Sequence, residues 1–214
     1  MGRKVGVTSE QTRAELLSAA AEIFAQKGYD GASISDITRE SGLSSGAIYS
    51  HYGSKAGLFF AVGEERGRQE FTDLVGADHL ENYSELNEHV ADMSEFLTLA
   101  GTALEAESSL DTPLMVEAIV ASKQHPEVAE LVSTWFVDGE QLIVDTIREE
   151  QDAGTLDPSV NAEAVARLTT FLTLGARLAG VMSLPNVESD DWSSLISRLV
   201  GALRSEQPDN PSAN

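Results

Sequence analysis

Residues 33–55 read SISDITRESGLSSGAIYSHYGSK. Ser33 followed three residues later by Asp36 is a capping-box pair, so a helix opens there and runs through SISDI. Gly42 ends it. Ser44 caps a second short helix that continues through Tyr52, and Gly53-Ser54 breaks that one before a further helix begins near Lys55. Two short helices joined by a tight turn holding a glycine make a helix-turn-helix. Ile37, Leu43 and Ile48 are placed to pack together against Phe24 of the preceding helix. The outward face of 44–52 is then Ser44, Ser45, Ala47, Ser50 and His51, with no bulky apolar residue.

Working outward, helical periodicity dominates. From Glu10 to Lys27 the apolar positions Leu16, Leu17, Ala20, Ile23 and Phe24 share one face; Thr8 or Ser9 caps the start and Gly28 supplies a left-handed stop. Beyond position 70 the pattern predicts longer helices over about 84–107, 113–124, 127–153, 161–183 and 190–204. Pro113, Pro126 and Pro158 stand at or just before three of these starts, where a missing amide hydrogen costs least. Gly154 is placed to end the long helix. No run alternates apolar and polar residues with period two, and no internal repeat is visible. The fold class is all-α. Its expected divisions are an N-terminal arm over 1–8, a DNA-binding helix-turn-helix over 9–54, a larger helical domain over 55–206 and a disordered polar tail over 207–214.

Composition narrows the function. The 214 residues are 42% hydrophobic, enough for a proper core. With no cysteine, disulfides, thiolate catalysis and zinc–thiolate sites are excluded. MGRKVGVTSEQ lacks the pattern of a signal peptide, and no apolar stretch reaches the 18 or so residues a bilayer demands. A soluble, cytoplasmic protein without membrane contact is expected. The net charge of −21 is unevenly spread: residues 1–70 carry 8 basic and 9 acidic side chains, and residues 71–214 carry 6 and 26. An acidic body repels DNA phosphates, whereas the near-neutral N-terminal part does not. The plainer reading of the acidity is solubility alone.

A small polar helix on an apolar floor fits the major groove. Its N-terminus offers unpaired amide hydrogens and a partial positive charge to a phosphate. Gly46, in the first turn, removes a side chain and lets the backbone approach. Few cations are needed locally, because amides, hydroxyls, His51 and Lys55 can hold the phosphates.

The run Ile34 to Val62, ISDITRESGLSSGAIYSHYGSKAGLFFAV, resembles the DNA-binding region of TetR-family (tetracycline-repressor-type) transcriptional regulators. The family pattern is D-I-A-x-x-A-G-V-S-x-G-x-x-Y-x-H-F-x-S-K, and Asp36-Ile37, Gly42, Ser44, Gly46, Tyr49, His51 and Ser54-Lys55 match it. Tyr52 replaces the commoner Phe, Leu43 the commoner Val, and Thr38 and Ser41 stand where alanines are usual. The resemblance covers about residues 10–62; beyond them it extends to helix number and length and the stretch EEQDAGTLDPSVNAEAVARL. It implies phosphate contacts from Ser33 or Ser35, Tyr49, His51 and Lys55, and base-edge contacts from Ser45, Gly46, Ala47 and Ser50, with Ser44 at the helix start. Competing readings bury Tyr49 inside the small domain, use His51 only as a helix C-cap and leave Lys55 as a solvated lysine. Arg3, Lys4 and Arg13 form a candidate basic arm.

A lone helix-turn-helix makes few contacts, so a two-fold dimer is expected. Its interface is placed on the last two helices: Trp192, Leu195, Ile196, Leu199, Val200 and Leu203 recur at spacings of three and four. The helix before it is apolar almost all round, with Leu168 and Leu172 beside small Gly175, Ala176, Ala179 and Gly180, and together the two suit a four-helix bundle. The resemblance further implies a small-molecule effector, largely apolar, that releases a repressor from a palindromic operator. Met93, Phe96, Leu97, Met115, Ile119, Trp135 and Phe136 are candidate contacts, each alternatively plain core. No cofactor is expected. Neither is an enzyme: the histidines at 51, 79, 89 and 125 lack metal spacing, the one i,i+4 pair is Glu85 with His89, and no G-x-S-x-G, P-loop or G-x-G-x-x-G occurs. The rival outside catalysis is an all-helical interaction scaffold that does not bind DNA.

Overall fold

The computed structural model describes residues 8–75, 97–98, 111–185 and 187–204. Among them are eight helices and no strand: α1 Ser9–Gly31, α2 Ile34–Ser41, α3 Ser45–Tyr52, α4 Lys55–Val75, α5 Asp111–Ala121, α6 Pro126–Asp152, α7 Ala162–Val181 and α8 Ser189–Gly201. The all-α reading holds. The helix expected over 84–107, apart from 97–98, and the polar tail fall outside the described residues.

Local sequence accounts for the helix ends. Thr8 caps α1 reciprocally with Gln11: the Gln11 amide donates to Thr8 Oγ1 at 3.2 Å and the Thr8 amide to Gln11 Oε1 at 3.0 Å. Gly28 takes φ +67°, as the sequence predicts, but one more helical turn follows it through Gly31. Ser33 and Asp36 form the expected capping box at α2, with bonds of 3.1 and 3.2 Å, and Gly42 closes that helix at φ +68°. Asp36 carries more than the cap. Lys27 lies 2.9 Å from its carboxylate and Arg39 donates to it as well. The Lys27 hydrogen bond, followed by that of Ser33, holds the Asp36 carboxyl well below the usual carboxylate range. A carboxyl depressed in the folded state stabilises above its unfolded value, and that stability is lost as pH falls below about 4. Asp36→Asn is therefore expected to flatten the fall in melting temperature between pH 5 and pH 3; an equally steep fall in the variant counts against this role.

Two compact units divide the described residues, and α4 and α6 contribute to both. The first takes the chain as far as Phe71 and returns for 111 to Trp135. Its core joins Leu16, Ile23, Phe24, Tyr29, Ile37, Ile48, Leu58 and Val62 to Leu114, Ala118 and Val128. The grouping of Phe24, Ile37, Leu43 and Ile48 is as expected. The finding is that α5 and the start of α6 pack into this same core, although they come more than fifty residues after α3. Phe24 meets Phe59 edge-on at 4.9 Å and stacks with Tyr29 at 6.4 Å.

The second unit takes α6 from Phe136 with α7 and α8. Val144, Ile147, Val165, Ala166, Ile196 and Val200 form its core. Gly154 ends α6 at φ +78°, as anticipated, and the Gln151 side chain donates to the carbonyls of Asp157 and Val160, both at 2.9 Å, pinning the return into α7. Asn161 caps α7 through a bond from the Ala164 amide at 2.7 Å. The expectation that no apolar stretch is long enough for a bilayer is corrected in one helix. Helix α7 is long and apolar enough by composition to cross a membrane, and only 17% of that span is buried. Its leucines, Phe171 and alanines give the nearly all-round apolar character read from the sequence, interrupted by Glu163, Arg167 and Arg177.

Candidate nucleic-acid interface

The site is built around α3. Ile48 is fully buried and fixes the helix on the core of the first unit, and Ala47 is half-buried beside it. Tyr52 ties the far end to α1: its hydroxyl donates to the Arg13 carbonyl at 3.1 Å, and burial raises its pKa. At the near end the first bond runs from the Ala47 amide to the Ser44 carbonyl at 3.0 Å, so the Ser45 and Gly46 amides precede it. Ser44 occupies the N-cap position, yet its hydroxyl makes no capping bond. The expected Ser44 side-chain cap is thus corrected: the backbone is in place while the hydroxyl stays exposed.

Ser45, Gly46, Ser50 and His51 are exposed on the same short helix. Tyr49 is 54% exposed, which removes the reading that buries it. Ser35 is exposed, whereas the Ser33 hydroxyl is engaged with Asp36 Oδ2 at 2.7 Å. Lys55 is not a freely solvated lysine. Its ammonium donates to the Tyr29 carbonyl at 2.8 Å and the Ala32 carbonyl at 3.2 Å and lies 4.1 Å from the Tyr29 ring centroid. One of its three N–H groups is left after those two bonds. Arg13 is exposed on α1; Arg3 and Lys4 lie outside the described residues.

Gly46 is informative by what surrounds it. A Cβ there would meet only Ser44 Oγ, at an ordinary 3.7 Å, and its φ is not left-handed. Nothing in this chain requires a glycine at that place, although glycine inside a helix costs about 0.5–1 kcal/mol relative to alanine. The start of α3 is therefore open to close approach from outside the chain.

The comparisons with known proteins point to the same segment. Residues 16–62 match the family model described as bacterial regulatory proteins, tetR family. Over these residues the chain is similar to the TetR family of transcriptional regulators. It is 26% identical over 186 residues to the HTH-type transcriptional regulator UidR of Escherichia coli strain K12, covering 86% of this chain and 85% of that one. Over 59 residues it is 42% identical to the HTH-type transcriptional repressor AcnR of Corynebacterium jeikeium, 28% of this chain and 31% of the other. The structure of Salmonella enterica GusR superposes with a TM-score of 0.67 at 23% identity, covering 91% and 98% of the two chains, a likeness of fold. Sequence similarity and helix order agree on a helix-turn-helix within the first unit of this chain.

The other expected residues divide clearly. In α7, Leu168 and Phe171 are more than half exposed and Gly175 is open, whereas Leu172 packs into the chain's own core. In α8, Leu195 and Leu199 are half exposed, but Ile196 and Val200 are buried and Trp192 and Leu203 pack against the same core. The stripe taken as one interface is thus two neighbouring stripes, because adjacent residues lie about 100° apart around a helix. Ala179 is half-buried. Phe171 was missed, although its spacing of three from Leu168 and four from Gly175 places it on their face. Of the effector candidates, Met93 and Phe96 lie outside the described residues. Leu97 is part of the second unit's core. Met115 is buried in α5, and Ile119, Trp135 and Phe136 are half-buried. Among the described residues no group of three His, Asp or Glu side chains could hold a metal.

Proposed function

We propose that this chain is a TetR-family regulator that binds a two-fold DNA site as a homodimer, with α3 in the major groove, and that a small-molecule effector releases it as a repressor. The observation that carries the reading is the exposed, small and polar face of α3, set on a fully packed floor with its first amides and the Ser44 hydroxyl uncommitted. Those amides, Tyr49, His51, Ser35 and the remaining N–H of Lys55 are the proposed phosphate partners; Ser45, Gly46, Ser50 and the edge of Ala47 face the bases. Apolar side chains left outward on α7 and α8 supply the dimer surface. The effector reading rests on the family together with the buried and half-buried apolar side chains of Met115, Ile119 and Trp135. To turn mostly bound into mostly released, the effector must prefer the non-binding state by about 10⁴-fold, or ~5.5 kcal/mol.

Selection of duplexes from a random library by the purified chain tests the core of this proposal. An enriched site with two-fold symmetry is expected, its affinity falling steeply as salt rises, because phosphate contacts release counterions. Failure to enrich any site, or an affinity indifferent to salt, overturns it. Gly46→Ala sharpens the test. The variant is expected to melt at or above the wild-type temperature, gaining up to about 0.5–1 kcal/mol, while binding the selected duplex several-fold more weakly. Unchanged affinity would show that nothing approaches α3 closely at that point.

A further inference from the structure

Tyr29 is held from several sides by residues distant in sequence. Its amide donates to Glu117 Oε1 of α5 at 2.7 Å, across 88 positions of chain. Its carbonyl accepts from Lys55, the first residue of α4. Its ring meets Phe59 and His125 edge-on, each at 5.1 Å, and the next residue, Asp30, meets His125 Nε2 at 2.6 Å. Burial, with the charges of Glu127 and Asp30, pushes the Tyr29 phenol up to about 12, so the ring that Lys55 covers stays neutral. Gly28 completes the arrangement. At φ +67° it turns the chain as glycine readily does, and a Cβ in its place would lie 2.6 Å from Glu117 Oε1. The left-handed glycine thus both aims the Tyr29 amide and clears room for the carboxylate.

This cluster reaches the recognition helix in two steps. Lys55 stands three residues beyond Tyr52, where α3 ends. The junction between them is tight: the Gly53 amide donates to the Tyr49 carbonyl at 3.1 Å, and Ser54 Oγ accepts from the Gly57 amide at 2.9 Å. The location of the Tyr29 carbonyl therefore sets the location of the Lys55 ammonium, and with it the start of α4 against the end of α3. We propose that Glu117, on α5, is a positioning residue for operator binding, acting through Tyr29 on Lys55 and the α3–α4 junction. The proposal rests on the reading of α3 as the DNA-binding helix.

The test uses the duplex selected by the wild-type chain and five variants of the same chain. Glu117→Ala removes the acceptor, and Glu117→Asp keeps the charge while withdrawing it from the Tyr29 amide; both are expected to bind the duplex about tenfold more weakly, as loss of a hydrogen bond to a charged group implies. Glu117→Gln keeps an oxygen in the same place and is expected to recover most of the affinity. In a Lys55→Met background, Glu117→Ala is expected to add less than about twofold, since two residues acting through one contact are not additive. A purely structural role would instead lower the melting temperature in all three Glu117 variants and leave the affinity of the folded fraction unchanged. Wild-type affinity in both Glu117→Ala and Glu117→Asp, or losses that multiply fully with Lys55→Met, overturns the proposal. A wild-type chain that enriches no duplex overturns the DNA-binding reading itself, which is a separate result.

Discussion

Phe171→Glu combined with Leu195→Glu is expected to convert the protein to a folded monomer and to weaken its binding to the selected duplex by at least about a hundredfold. Phe171 is 61% exposed and Leu195 is 50% exposed, and neither belongs to the core of α6, α7 and α8. Removing them therefore leaves the chain's own packing intact. In a two-fold interface each residue is buried twice, so four large apolar side chains are lost. With only half to three-fifths of each side chain left to bury, and about 1.5–3 kcal/mol for a whole one, this removes roughly 3–7 kcal/mol of association, before the cost of placing carboxylates against an apolar partner. DNA affinity follows, because a monomer holds one half-site where the dimer holds two. Sedimentation shows the oligomeric state, thermal unfolding shows that the fold survives, and binding to the duplex reads the function. A variant that sediments as a dimer, or binds as tightly as the wild type, would remove α7 and α8 from the interface. The companion change Ile196→Glu separates the two stripes of α8. Ile196 is 1% exposed, so that substitution is expected to unfold the second unit instead of merely freeing the monomer.

Phe24→Ala should cost about 3–5 kcal/mol of stability, the largest effect expected of any single truncation in the first unit. Phe24 is 2% exposed and packs against a pair of rings, Phe59 and Tyr29, that also meet each other at 5.1 Å, so its loss opens a void beside two rigid aromatic side chains that hold one another in place. Small domains keep only about 5–15 kcal/mol in all, so the variant should unfold at markedly lower urea and lose DNA binding in proportion to its unfolded fraction. The same core includes Leu114 and Ala118 of α5, which predicts that α5 loses hydrogen-exchange protection together with α1 to α4. A loss below about 1 kcal/mol, or α5 protection that survives while α1 is exposed, would contradict this account of the core.

How much was legible in advance follows from the range over which each signal acts. Capping and turn chemistry act over three or four residues, so Ser33 with Asp36, Gly28, Gly42, Gly53 and Gly154 could be assigned from neighbours alone, and the structure agrees. Periodicity placed Phe24, Ile37 and Ile48 on inward faces, and the helix-turn-helix followed from them. The failures share one cause. A hydrophobic stripe states that some face is apolar but not what covers it, and so Ile196 and Leu195 were grouped although one packs against its own chain and the other is exposed. Phe171 went unseen for the same reason. Both readings of Lys55, phosphate contact and solvated lysine, omit the Tyr29 and Ala32 carbonyls, because these partners lie more than twenty residues away.

By itself, then, the sequence determined the all-helical class, the helix ends, the short helix with its small polar face, and the resemblance of residues 16–62 to one family. Only the tertiary structure decided which apolar faces are spent inside the chain and which remain outward, that α5 belongs to the core of the DNA-reading end, and that Glu117 and Lys55 grip the same residue. The physical reason is that helix signals arise from adjacent backbone groups and side chains one turn apart, whereas burial and ion placement depend on which segments meet once the chain has folded.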